Sequence, residues 1–166
     1  MFCSGMLLEK CMGTAYEEDV IAWSAEQASL LRSGQLTLVD IEHIAEEIED
    51  MGSEKKFALQ SLFTKIIVHL FMLEFSPATD PRNKWIGEIA NFRTDAIARI
   101  DDTPSLKHFA DGLFEKSWKY AGKEVKARFS TYNESADVPD ECPYTMDQVL
   151  NMDFVPEHKP NHGFGI

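Results

Sequence analysis

Carboxylates, histidines and arginines do chemistry only where a fold holds them beside apolar surface, so the first question is which of them lie there. At 100° per residue, Glu47 and Asp40 sit at the border of an apolar face made by Ile41, Ile44, Ala45, Ile48 and Met51. His69 borders a wider stripe, beside Leu62 and Leu73, and Arg93 lies one turn from Ile89 and Ile97, near Trp85. Brought to one end of a helical bundle, Glu47, His69, Trp85 and Arg93 would form a cluster with two uses. As catalyst it would be an acid–base pair, or part of a metal site, in a cleft between helices. As structure it would be a buried hydrogen-bond network that fixes helix register, with Glu47 neutralising His69 or Arg93. Buried networks perturb titration as readily as catalytic ones do, and the structural use is the expectation.

Other chemistries find less support. The chain has no Glu-x-x-His, and its one His-x-x-x-His, His158 with His162, stands in a Pro- and Gly-containing tail, so no metal is expected. Cys3, Cys11 and Cys142 make an odd count without a Cys-x-x-Cys pair, against both a disulfide framework and a zinc knuckle. There is no Gly-x-Ser-x-Gly elbow and no phosphate-cradling glycine loop, and no cofactor is expected. Trp23, Trp85 and Trp118 each lie on a helical stripe, where core packing is the commoner role, although Trp85 is also a candidate binding residue through its place beside the cluster. Lys116, Lys119, Lys123 and Lys126 share one side of a helix. They form either a solvated face or a docking strip for an acidic partner, or for the acidic face of a second copy.

The elements that must position these groups are all helical. Leu38 to Phe75 organises the chain: a short acidic helix, Gly52 as its C′ residue, then a long apolar helix with Leu59, Leu62, Phe63, Ile66, Ile67, Leu70 and Leu73 on one stripe. A first helix is predicted from about Ala15 to Arg32, opened by the capping pair Thr14 and Glu17, with Tyr16, Val20, Trp23, Gln27, Leu30 and Leu31 facing inward. Asp80-Pro81 predicts N-cap and N1 of a fourth helix, Thr103-Pro104 those of a fifth running to about Phe129, and Thr145 with Gln148 a last short helix. The prediction is a single all-α domain: a bundle of four to five helices over residues 14–156, with a C-terminal extension packed back across it. Residues 1–13 read as a tail, or as a start placed too early, and residues 157–166 as a second tail.

With 166 residues and a net charge of −12, the chain repels nucleic acid and anionic membranes at long range. No apolar run reaches the roughly 20 residues of a membrane span, and a cytoplasmic protein is expected.

The ordered motifs add a family resemblance. They are Tyr16-x-x-Asp19-x-x-x-Trp23-x-x-x-Gln27 with Leu31-Arg32, Glu46-Glu47-Ile48-Glu49 with Gly52, and His69-Leu70. Then come Trp85 with Arg93, Pro104-Ser105-Leu106, and Cys142-Pro143-Tyr144-Thr145 with Leu150, Phe154 and Pro156. In these the chain resembles the bacterial family called domain of unknown function 29, over Tyr16 to Pro156. It departs at Met72, where a basic residue is usual. The resemblance implies an all-helical domain without an established activity. The expected function is a non-catalytic cytoplasmic interaction or regulatory module that self-associates and docks a protein partner. The alternative is a small metal-dependent or acid–base hydrolase using Glu47, His69 and Arg93.

Overall fold

The computed structural model describes residues 16–78, 80–131 and 138–159. Among them the secondary structure is helical throughout: α1 (Val20–Ser33), α2 (Ile41–Phe75), α3 (Arg82–Asp102), α4 (Ala110–Thr131) and α5 (Met146–Leu150), with 3-10 turns at Leu36–Leu38 and Pro104–His108. The all-α prediction holds. The chain falls into two compact units, one up to Met51 and one from Gly52 onward. The expectations for residues 1–13 and 160–166 lie outside the described residues, as does Thr14.

In the first unit α1 begins later than predicted. Asp19 caps it, its Oδ1 accepting the N–H groups of Ile21 and Ala22. It ends one residue past the predicted Arg32, capped by Gly34, which takes φ of 73°, a left-handed conformation that suits a residue without Cβ. Asp40 opens α2, its Oδ1 accepting the His43 N–H at 3.3 Å. Gly52 is not a C′ residue: α2 runs through it for 35 residues. Propensity alone gave the wrong boundary, because a single glycine weakens a helix by only about 1 kcal/mol and good helix formers flank it.

The second unit buries the stripe that was expected to form its core. Leu59, Phe63, Ile66, Ile67, Leu70 and Leu73 of α2 are sealed, against Trp85, Ile89 and Ala96 of α3 and Leu113, Trp118, Ala121, Val125 and Phe129 of α4. By length and composition α2 would cross a membrane, contrary to the reading of its apolar runs: an 18-residue window has a mean hydropathy of 1.4. Two thirds of that window is buried inside the protein, as befits the central helix of a core. α3 starts at Arg82, one residue after the predicted N1, and Pro81 has no side-chain cap above it. The fifth predicted helix is divided: Pro104 opens a 3-10 turn, and α4 starts at Ala110. The capping box of α5 forms as predicted, with Gln148 N–H on Thr145 Oγ1 and Thr145 N–H on Gln148 Oε1.

Candidate functional site

The expected cluster does not assemble, because each of its members is engaged elsewhere. Glu47 belongs to the first unit, where its Oε1 accepts the Tyr16 hydroxyl at 2.6 Å. The hydrogen bond to this carboxylate pushes the phenol up to about 12. The Tyr16 ring stacks on His43 at 4.4 Å between centroids, and Trp23 meets Tyr16 edge-on at 5.0 Å. Asp40 ties the group together. Its Oδ2 lies 2.7 Å from His43 Nδ1 and accepts Trp23 Nε1–H at 3.3 Å, while its own N–H donates to Gln27 Oε1 at 2.9 Å. The hydrogen bond between them lowers the Asp40 carboxyl and raises the His43 imidazole, each favouring its charged form. Tyr16, Trp23 and Gln27 recur at the spacing noted in the sequence. Of their partners, Asp40 and Glu47 were marked at the border of the apolar face, while His43, one turn after Asp40, was missed and could have been found by the same spacing.

His69 is 6 % exposed. It is buried as its neighbours predicted, but its partner is none of Glu47, Asp40 and Arg93. Nδ1–H donates to the Lys65 carbonyl at 2.7 Å, the i−4 oxygen of its own helix, and Nε2 faces Glu88 Oε2 of α3 at 2.9 Å. With both ring nitrogens occupied and Phe92 packed against the ring, His69 joins α2 to α3. Glu88, a third exposed, borders the inward stripe of α3, three residues after Trp85 and four before Phe92, a spacing that could have marked it as a partner for His69.

Arg93 is 1 % exposed and holds the C-terminal strap. Its Nε donates to the Val149 carbonyl at 2.8 Å, Nη1 to that of Phe154 at 3.0 Å and Nη2 to that of Gln148 at 3.0 Å. Two of these oxygens end α5, where a helix lacks internal donors and its dipole is negative, so a cation fits. Burial lowers the guanidinium's affinity for its proton, though an arginine stays charged.

The strap also closes over the end of α2. Buried Glu74 accepts the Tyr144 hydroxyl on Oε2 at 2.8 Å and Lys159 Nζ on Oε1 at 2.9 Å. Burial, then this hydrogen bond, pushes the Tyr144 phenol far up. The carbonyl of Ser76 takes His158 Nε2–H, and that of Leu73 takes Arg82 Nη1–H at 2.6 Å. Beside Glu74, Tyr144, Gln148, Phe154 and Lys159 lies an open cavity of about 300 Å³. Glu74, Tyr144 and Lys159 are paired with one another there, and Glu157 and Lys159, read as tail, are part of its wall.

Trp85 packs in the core of the second unit, so it offers no open binding platform. Lys116, Lys119, Lys123 and Lys126 are all exposed on one side of α4, as their spacing required. Cys142 is a free, half-buried thiol whose pKa burial raises, the reverse of an activated nucleophile. Among the described residues, no three metal-ligating side chains come together.

No curated protein and no solved structure matches the chain. One family does, along residues 15–155, the span that carries the Tyr16–Glu47 and Asp40–His43 pairs, the His69–Glu88 pair and the Arg93 anchor. The chain belongs to the family Domain of unknown function DUF29.

Proposed function

We propose that the chain is a non-catalytic helical interaction module acting in the cytoplasm. One observation carries the reading. The groups best suited to catalysis are used up in holding helices together, whereas large apolar side chains and a row of cations are left facing solvent. His69 has both nitrogens bonded, Glu47 holds Tyr16 and Arg93 holds the strap, so none is left to accept a substrate proton. On the outside, α4 presents its four lysines, and the first unit exposes Ile21, Leu36, Leu38, Ile41, Ile48 and Met51. Scattered apolar residues are ordinary on a surface, but this many within one small unit mark an interaction site. Self-association belongs to the same proposal, since a second copy brings carboxylates for the lysine strip.

Gel filtration of native extract from the source organism, followed by immunodetection of the chain, tests this. The chain is expected well above its monomer mass, and Lys119→Glu/Lys123→Glu or Ile41→Asn/Ile48→Asn is expected to shift it toward the free form, while His69→Gln leaves its elution unchanged. Elution at monomer mass in every case would overturn the proposal.

A further inference from the structure

On the N-terminal part of α2 the usual assignment of helix faces is reversed. The side turned to α1 is polar: Asp40, His43 and Glu47 meet Trp23, Gln27 and Tyr16 there. Most of the stripe of Ile41, Ile44, Ile48 and Met51, which spacing alone would bury, faces outward: Ile41 is 70 % and both Ile48 and Met51 are 63 % exposed, and Ile44 is half-buried between them. These four lie within about 80° of arc, two turns and more of helix, at 100° per residue. The charge around them is one-sided. Between Tyr16 and Met51 the chain carries ten aspartates and glutamates, and Arg32 is the sole lysine or arginine.

We propose that this stripe is a docking site for a cationic amphipathic helix of a partner protein. The proposal rests on the interaction-module reading and names the partner's chemistry. A ridge of isoleucine and methionine spaced i, i+3, i+7 fits the apolar side of a second helix, which covers it by helix–helix packing. The carboxylates beyond the stripe, Glu42, Glu46 and Glu49 on α2 among them, select lysines and arginines flanking the partner's apolar residues. An identical copy is a poor occupant, since apposing two such faces brings together two surfaces of like charge. Docking the lysine face of α4 from a second copy is no better, because Tyr120 is the one large apolar side chain it would bring.

The test uses the full chain and a designed helical peptide of leucine and lysine, compared with its glutamate-for-lysine counterpart and with a scrambled version that has no apolar face. Binding is read by fluorescence anisotropy of the labelled peptide. The leucine–lysine helix is expected to bind at least tenfold more tightly than the scrambled peptide, and the glutamate version not at all. Ile41→Asn/Ile48→Asn, at positions too exposed to matter for folding, is expected to weaken binding tenfold or more with an unchanged melting curve. Equal affinity for the scrambled peptide would show charge attraction alone and overturn the proposal. Three other results would also overturn it, each naming a different occupant: tenfold tighter peptide binding when the apolar pair of residues 1–13 is changed by Leu7→Asn/Leu8→Asn, a fall in the solution mass of the purified chain, with no partner present, in Ile41→Asn/Ile48→Asn, or stripe-dependent binding to zwitterionic vesicles. If the peptide fails but these surface variants still release the chain from its complex in extract, the partner chemistry is lost while the interaction-module reading stands.

Discussion

Arg93 donates from Nε to the carbonyl of Val149, 56 residues further along the chain, and that bond with its two neighbours fixes the strap. A charged donor, a planar fork and three convergent carbonyls make a contact that lysine cannot copy. Arg93→Met would leave three buried oxygens without donors and is expected to cost about 3–5 kcal/mol. Arg93→Lys, which restores the charge and one hydrogen bond, should recover only part. Urea denaturation of the two variants measures both, and a loss under 1 kcal/mol for Arg93→Met would show that the strap is held by packing alone.

The Asp40–His43 pair predicts a pH dependence local to the first unit. The imidazole is raised above its ordinary 6.5, so its contribution is complete below that pH and is lost as pH rises through the raised value. The carboxyl is lowered below 3.8, so its contribution is present above that pH and is lost as pH falls through the lowered value. The pair therefore works best between about pH 4 and 6.5 and weakens toward alkaline pH. NMR titration of the His43 ring is expected to show a midpoint above 6.5, which Asp40→Asn brings back down. The Trp23 indole N–H resonance should move with the same midpoint, since it shares the Asp40 carboxylate. A midpoint at or below 6.5 in the unaltered chain would rule the pair out in solution.

Gly52 allows a stabilising change. It lies inside α2 with nothing within 4 Å of an added Cβ, and its backbone does not need positive φ. Gly52→Ala is expected to raise stability by about 0.5–1 kcal/mol through helix propensity and a less flexible unfolded chain. A decrease, read from the denaturation midpoint, would mean that this point of the helix has to bend.

The comparison of sequence and structure turns on what hydropathic periodicity can and cannot carry. It carried the second unit well: the α2 stripe from Leu59 to Leu73 is buried as its spacing required, and the capping box at Thr145 opens α5. It failed on the first unit because periodicity shows which face is apolar but not whether anything covers it. There the polar edge won the contact, through hydrogen bonds of Asp40 to Trp23 and Gln27 and of Glu47 to Tyr16 and the stacking of His43 on Tyr16, and Ile41 and Ile48 were left outside. The candidate site was legible only residue by residue. His69 and Arg93 were marked as buried groups in need of partners, but the partners could not be read. Glu88 borders the stripe of α3, where spacing does not say which buried group it meets, and the three carbonyls on Arg93 are backbone atoms that no side-chain pattern reports.

His69 serves as the matching structural control. Removing it deprives the Lys65 carbonyl of its side-chain donor and Glu88 of its closer partner, but Glu88 keeps Lys84 at 3.7 Å and is exposed enough to recover water. His69→Ala is therefore expected to cost about 1–3 kcal/mol, toward the lower end if water reaches Glu88 freely. Thermal denaturation of the variant measures it, and an unchanged curve would show that the pair holds nothing.

The strap supplies the last prediction, since it decides whether the C-terminal segment serves its own core. Tyr144 and Phe154 meet edge-on at 6.3 Å, and Phe154 packs against the core of the second unit while its carbonyl takes Arg93 Nη1–H. Phe154→Ala would empty part of that contact and is expected to destabilise the chain by about 2–4 kcal/mol, below the figure for a fully buried phenylalanine because the ring is only half-buried. Tyr144→Phe keeps the ring but leaves buried Glu74 Oε2 without its donor, at a cost of about 1–3 kcal/mol. Because these contacts close within one chain, both losses should appear in the denaturation curve with the solution mass unchanged. If Phe154→Ala instead lowers the mass at equal stability, the strap is exchanged between copies in solution. If it changes neither, the segment contributes nothing to the fold, and the Arg93 bonds cannot be holding it in place.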